Sequence, residues 1–396
     1  MDGVQGFIYP NEAELQWSIL IVLYPFITGL VAGAFILASL ERVFNVQAVK
    51  PTYRLALLTA LAFLIVAPLP LQLHLGHPER SFEMYLTPHT TSAMAMFGFV
   101  YLWYLLAVLL VEIWLEYRQQ IVISWQRSAG LVRIAYGVLA LGSRNISDEA
   151  LKVDDRVGRL ITIVGIPSAF LLHGYVGFIF GSVKANPWWS TPMMPIVFLF
   201  SAIVSGVALV MLMYQVMAWR RLVPIDMGCL DTIARYLLYA FVIDFSLELL
   251  DLAHRIYEAD ESFKTLDFMV HTRLFISQIV VQIVLGTLVP IALLAGARWA
   301  ASARLRRLIY AAAGVLTLVG IFAMRWNVVI GGQLFSKSFL GYTTYKVAFA
   351  TREGLGVSIV LLLLPFLLLA GLVRLLPPWP ADQIRPSASN LARSRS

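Results

Sequence analysis

WSILIVLYPFITGLVAGAFILASLE, residues 17–41, decides the class of fold, because no charged side chain stands between Ser18 and Leu40. An uncharged run of that length matches the roughly 20 residues an α-helix needs to cross about 30 Å of hydrocarbon. The signature recurs along the chain. Including the first, nine apolar runs lie near 17–41, 53–75, 91–117, 157–182, 190–218, 232–254, 272–297, 305–326 and 354–377. A membrane β-barrel would instead require short segments of alternating polarity. The expectation is an all-α integral membrane protein, a bundle of about nine transmembrane helices. The composition agrees: of 396 residues, 59% are hydrophobic and only 13% are charged, too apolar for a soluble domain.

The net charge of +7 is read loop by loop rather than as a nucleic-acid-binding surface. The odd-numbered connections and the C-terminal part hold 21 of the 30 Lys and Arg residues; the N-terminal part and the even-numbered connections hold 9. The positive-inside rule then places the N-terminus outside and the C-terminus in the cytoplasm, as an odd number of crossings requires. Residues 1–16 contain no Lys or Arg, so the basic region of a cleaved signal peptide is missing and the first helix is expected to stay. Most of the ten Trp residues fall near helix ends, as interfacial aromatics do. The single cysteine, Cys229, permits neither an internal disulfide nor a Cys-ligated iron–sulfur cluster.

The expected organisation is one polytopic membrane domain over 1–380, with a possible grouping into bundles 17–182 and 190–377, and a disordered cytoplasmic tail over 381–396. Two connections are long. In 118–156, LVRIAYGVLALG predicts an amphipathic surface helix followed by a polar connector. In 327–353, Gly331 and Gly332 mark a turn, and the segment is long enough to cover something.

The sixth run, YAFVIDFSLELLDLAHR (239–255), carries Asp244, Glu248 and Asp251. At 100° per residue the three carboxylates share an arc of about 60°, continued by Arg255. A charge at mid-bilayer costs at least about 2.5–3.5 kcal/mol, so such a stripe is expected to face protein or water. One reading makes Asp251 and Arg255 an interfacial ion pair and Asp244 a packing residue. The other makes Asp244, Glu248 and Asp251 a proton path from the bundle interior to the outer phase. All six histidines, His74, His77, His89, His173, His254 and His271, fall toward the outer side, which argues against a di-haem cytochrome with His pairs at both depths. One outer haem between His74 and His173 stays open, as does an ion-coupled secondary transporter.

At LHLGHPERSFEMYLTP (73–88), LLHGYVGFIFG (171–181), WWSTPMMPIVFLFSAIVSG (188–206) and RWNVVIGGQ (325–333), the chain resembles the NrfD/PsrC family of polysulfide reductase-like membrane anchors. The resemblance implies a quinone-reactive subunit without a redox cofactor of its own, in a bacterial or archaeal cytoplasmic membrane. It implies menaquinone or ubiquinone bound near the outer surface. It also implies electron exchange with a four-cluster iron–sulfur subunit, linked to a molybdopterin or multihaem cytochrome subunit. Tyr24 and Tyr175 are the nearest matches to the family's quinone-site residues, with His173 and His74 as further candidates. The GHPER turn offers Arg80, and RWN offers Arg325, for partner docking or interfacial ion pairing. No metal ligand set is expected.

Overall fold

The computed structural model describes residues 4–220, 222–257 and 262–379. The tail 381–396 lies outside the described residues. In chain order the helices are α1 (Ile19–Arg42), α2 (Lys50–Val66), α3 (Leu69–His74), α4 (Glu83–Leu86), α5 (Ala93–Leu102), α6 (Leu110–Arg127), α7 (Gly130–Leu139), α8 (Asp148–Gly181), α9 (Met194–Trp219), α10 (Met227–Tyr257), α11 (Phe263–His271), α12 (Val289–Gly296), α13 (Ala303–Val329) and α14 (Leu355–Leu375). Two π-helical stretches, Trp103–Leu109 and Phe275–Leu288, lead into α6 and α12. The strands β1 (Gln5–Gly6) and β2 (Gly341–Tyr342) form an antiparallel pair.

Eight helices among the described residues are long and apolar enough to cross a membrane. The sixth run differs. Its helix, α10, is 31 residues long, but Asp231, Arg235, Asp244, Glu248, Asp251 and Arg255 are spaced so that every 18-residue window holds at least three ionisable groups. Packing against α9 along its length makes α10 part of the bundle. Charge, not length, sets it apart.

Helix α1 sits at the centre. Ser18 caps it by accepting from Leu20 N, and nearly every residue from Ile19 to Ser39 is buried. It packs against α2, α8, α9, α13 and α14. Without a hydrophobic force between helices in lipid, close backbone approach at small residues drives association. A Cβ on Gly33 would lie 2.1 Å from the Ala202 carbonyl, and one on Gly206 2.4 Å from Gly33 Cα. Gly286 of the second π-helix and Gly320 of α13 repeat the device, a Cβ on Gly286 falling 2.2 Å from Gly320 Cα. Gly206→Ala is therefore expected to push α1 from α9 and destabilise the protein by about 1–3 kcal/mol, read from thermal unfolding in detergent. An unchanged midpoint would refute the close-contact account.

Helix α8 begins about two and a half turns before the apolar run. Ser147 caps it through Ala150 N, and Asp148 and Glu149 in its first turn favour the positive end of the helix dipole. The expected polar connector shortens to about 140–147. The exposed helix α7 stands where the amphipathic pattern puts it, with Leu131, Ile134 and Val138 outward.

The long connection after α13 closes over the N-terminal segment. Gln333 accepts from Trp17 N (3.0 Å) and donates to Trp17 O (3.1 Å), and β2 pairs with β1. Glu12 binds Ser336 and Lys337, with Lys337 Nζ at 2.9 Å. Burial pushes the Glu12 carboxyl up, but the hydrogen bonds from Ser336 and Lys337 outweigh it and hold the group below its ordinary value of 4.5. A carboxyl depressed on folding stabilises above its unfolded value and loses that contribution as pH falls through the folded one. Acidification below about pH 4.5 should thus loosen this clamp, seen as faster amide exchange over 5–17. Glu12→Gln should remove the acid dependence.

Candidate functional site

Five helices and the second π-helix bring polar side chains into an otherwise apolar interior. Arg325 of α13 is fully buried. Its Nη2 donates to Ser201 Oγ of α9 (2.7 Å) and to His173 Nε2 of α8 (3.1 Å), and the guanidinium stacks 3.9 Å from the Phe198 ring centroid. A guanidinium only donates, so His173 Nε2 accepts and its Nδ1 carries the hydrogen facing Thr28 Oγ1 (3.3 Å). Thr28 in turn donates to Tyr24 O at 3.0 Å, in the turn of α1 disturbed by Pro25. Arg325, His173 and Thr28 form one directed chain, which fixes the tautomer of a neutral imidazole.

Opposite charge comes from α10. Asp244 and Glu248 are the carboxylates acting on Arg325, although none lies within 4 Å of it among the described residues. Asp244 is 4% exposed, and its Oδ1 meets no hydrogen-bond partner among the described residues. Glu248 Oε1 faces Gln282 Nε2 at 3.5 Å, and Gln282 Oε1 accepts from Asn327 Nδ2 at 2.8 Å. Gln282 is aimed by the π-helix, whose widened turn is closed where Thr287 donates to the Gln282 carbonyl (3.0 Å). Such π-helical turns recur at functional sites.

Asp251, the third carboxylate of the stripe, stands apart. Thr191 donates to its Oδ1, and Arg255 Nε reaches Oδ2 at 2.9 Å while Nη1 binds the Pro187 carbonyl at 2.6 Å. Beside this pair lies a cavity of about 310 Å³ lined by Lys184, Pro187, Thr191, His254, Arg255 and Leu266. The stripe therefore divides into buried Asp244 and half-buried Glu248, which act on Arg325, and a tethered ion pair at the helix end.

Tyr24 and Tyr175 meet around Phe97, whose ring lies 5.1 Å from Tyr24 and 6.5 Å from Tyr175. Both hydroxyls are shielded and without a hydrogen-bond partner among the described residues. His173 and Tyr175 diverge: the first joins Arg325, the second faces Phe97 and Phe178. Consecutive turns of α1 nevertheless serve both, Tyr24 beside Tyr175 and Thr28 beside His173. His74 is elsewhere, its Nδ1 2.9 Å from Glu353 in the connection before α14. Both nitrogens of His173 are engaged in hydrogen bonds, so its ring is not presented as a haem ligand.

Arg80 lies on an exposed turn, Pro78–Arg80, where its fork binds Glu83 at 2.8 and 2.9 Å. Arg325 corrects the sequence expectation. Docking needs an accessible side chain, and Arg325 is enclosed because α13 continues through Val329 into the largely buried Gly331–Gln333 turn, leaving the guanidinium inside the bundle. Ser201, Gln282 and Asn327 belong to the site without standing out in the sequence. Two glutamines four residues apart, Gln278 and Gln282, in an apolar run are the one available signal.

Comparison with known proteins places these features in context. The family model described as "Polysulphide reductase, NrfD" matches residues 10–337. A selenate reductase subunit of Mesobacillus selenatarsenatis is 32% identical over 206 residues, 50% of this chain and 48% of that protein. A putative dimethyl sulfoxide reductase membrane subunit of Halobacterium salinarum is 29% identical over 205 residues, 50% of this chain and 42% of that protein. "Protein NrfD" of Escherichia coli is 28% identical over 208 residues, 50% of this chain and 59% of that protein. The chain thus spans about half the length of the curated relatives it matches. With the match running from the segment before α1 to the turn after α13, this multi-span membrane protein belongs to the NrfD family.

Proposed function

We propose that the chain is the quinone-reactive membrane subunit of a multisubunit respiratory oxidoreductase in a bacterial or archaeal cytoplasmic membrane. The observation that carries this reading is the juxtaposition of two unpartnered phenol hydroxyls, Tyr24 and Tyr175, with an ionisable core of buried Arg325, His173 and Asp244 and the partly buried Glu248. The names of two relatives, a selenate reductase subunit and a putative dimethyl sulfoxide reductase membrane subunit, support a place in a reductase complex. The N-terminus faces outward and the C-terminus the cytoplasm, which puts the Asp251 end of α10 at the outer surface.

A menaquinone or ubiquinone head group is the substrate. Its carbonyl oxygens need donors in an apolar, aromatic-lined setting, and Tyr24 and Tyr175 beside Phe97 supply them. Quinol oxidation gives two electrons and two protons. The electrons pass to an iron–sulfur subunit at the outer face, which leads to a molybdopterin or multihaem cytochrome subunit. Glu248 and Asp244 take up protons and hand them toward the cavity beside Asp251, while Arg325 steadies whichever carboxylate is ionised. His173 acts as a positioning link, since both its nitrogens are engaged.

A photoreactive quinone analogue should label α1 and α8 around Tyr24 and Tyr175 and be competed off by unlabelled quinone; labelling spread over the lipid-facing surface without competition would remove the reading. Tyr24→Phe and Tyr175→Phe should each weaken quinone binding by about fivefold, the worth of one hydrogen bond of about 1 kcal/mol. Titrating the purified protein with a quinol analogue measures this.

A further inference from the structure

At the opposite end of the bundle a second carboxylate is enclosed. Glu112, in the first turn of α6, is 1% exposed. Its Oε1 accepts from Tyr53 of α2 (3.0 Å) and Thr162 of α8 (2.6 Å). Its Oε2 meets no partner among the described residues, and neither does the fully buried Tyr104 hydroxyl, whose π-helical turn brings it within range of the Glu112 charge.

Charge counting says which form the site holds. The cation acting on Glu112 is Arg42 of α1; Arg54 of α2 sits against Glu116, one turn further along α6. Arg42 is committed to Glu116 (3.5 Å) and to Asp155 of α8 (3.1 Å), and Arg54 to Glu116 (2.7 Å). Glu41 and Lys50 at the rim offset each other. Two cations thus face three carboxylates, Glu112, Glu116 and Asp155. Glu116 and Asp155 have cationic partners; Glu112 is the deepest and has only neutral donors. An ionised carboxylate buried with one oxygen unbonded is costly, and taking up a proton relieves it.

We propose that Glu112 is a second proton-binding site, held at the basic end of the bundle and separate from the Arg325 core. Thr162 and His173 lie 11 residues apart on α8, about 16 Å along the axis. Buried Phe35 and Val108 pack against Gly165, between the two levels of α8, and on this proposal the two sites exchange protons with different ends of the protein. This placement does not depend on the quinone reading.

Infrared spectroscopy of the full chain in lipid nanodiscs tests it. The wild type should show the C=O stretch of a protonated carboxylic acid that moves in D₂O. Glu112→Gln should lose it, whereas the pair Asp244→Asn and Glu248→Gln should retain it. Tyr53→Phe keeps the carboxyl but removes a donor to its oxygen, so the band should move to higher frequency. An acid-region spectrum identical in wild type and Glu112→Gln would overturn the proposal. Should Glu112→Gln fail to fold, a band unmoved by Tyr53→Phe would overturn it equally.

Discussion

Asp244→Asn combined with Glu248→Gln is expected to lower quinol turnover by about a hundredfold or more, the lower end of what a positioned acid or base contributes, while quinone still binds. The amides keep the size of the carboxyls and an acceptor for Gln282, so shape is preserved, while the capacity to take up protons and the negative charge facing Arg325 are lost. Steady-state quinol oxidation by the purified complex gives the rate, and equilibrium titration gives the affinity. A rate within a few-fold of wild type would end the proton-path assignment without touching the quinone site. Asp251→Asn supplies the contrast. Its carboxylate is pinned by Thr191 and Arg255, and Arg255 also holds the Pro187 carbonyl, so the expected effect is a lower unfolding temperature with nearly normal turnover.

These residues show where sequence alone carries and where it stops. Apolar run length is a property of the chain itself, and it locates the helices before any packing is known. Asp244 and Glu248 are legible for the same reason: a charge in such a run has few places to go. Facing is different. The ideal-helix angle joins Asp251 to the stripe, but loop 187–191 folds against it and supplies Thr191 and the backbone acceptors for Arg255. The inward aim of Gln282 depends on a π-helical turn packed against Gly320, and nothing in local propensity announces that widening. Arg325 stands beside Trp326 and Asn327 in the sequence and reads as interfacial; its depth follows from how far α13 runs on. Glu112 is visible as an acid in an apolar run, four residues before Glu116, but its neighbours Arg42, Tyr53 and Thr162 come from α1, α2 and α8, and only the fold assembles them.

Arg325→Met should destabilise the protein by about 3–5 kcal/mol, the loss seen when one member of a buried charged set is removed. The substitution unties Ser201 from His173, removes the stacking on Phe198, and leaves Asp244 and Glu248 without a cation. Arg325→Lys separates these contributions: it keeps the charge but not the planar fork that reaches Ser201 and His173 together, so part of the loss should remain. The decisive comparison is with Asp244→Asn in the Arg325→Met background. If Arg325 serves chiefly to balance the α10 carboxylates, removing one of them restores part of the lost stability, and the two changes are non-additive by about 1 kcal/mol or more in a double-mutant cycle. If it serves chiefly as a packing piece against Phe198, the effects add. Thermal or denaturant unfolding in one detergent, read across the four proteins, decides between charge balance and shape as the reason a guanidinium is kept in the middle of an apolar bundle.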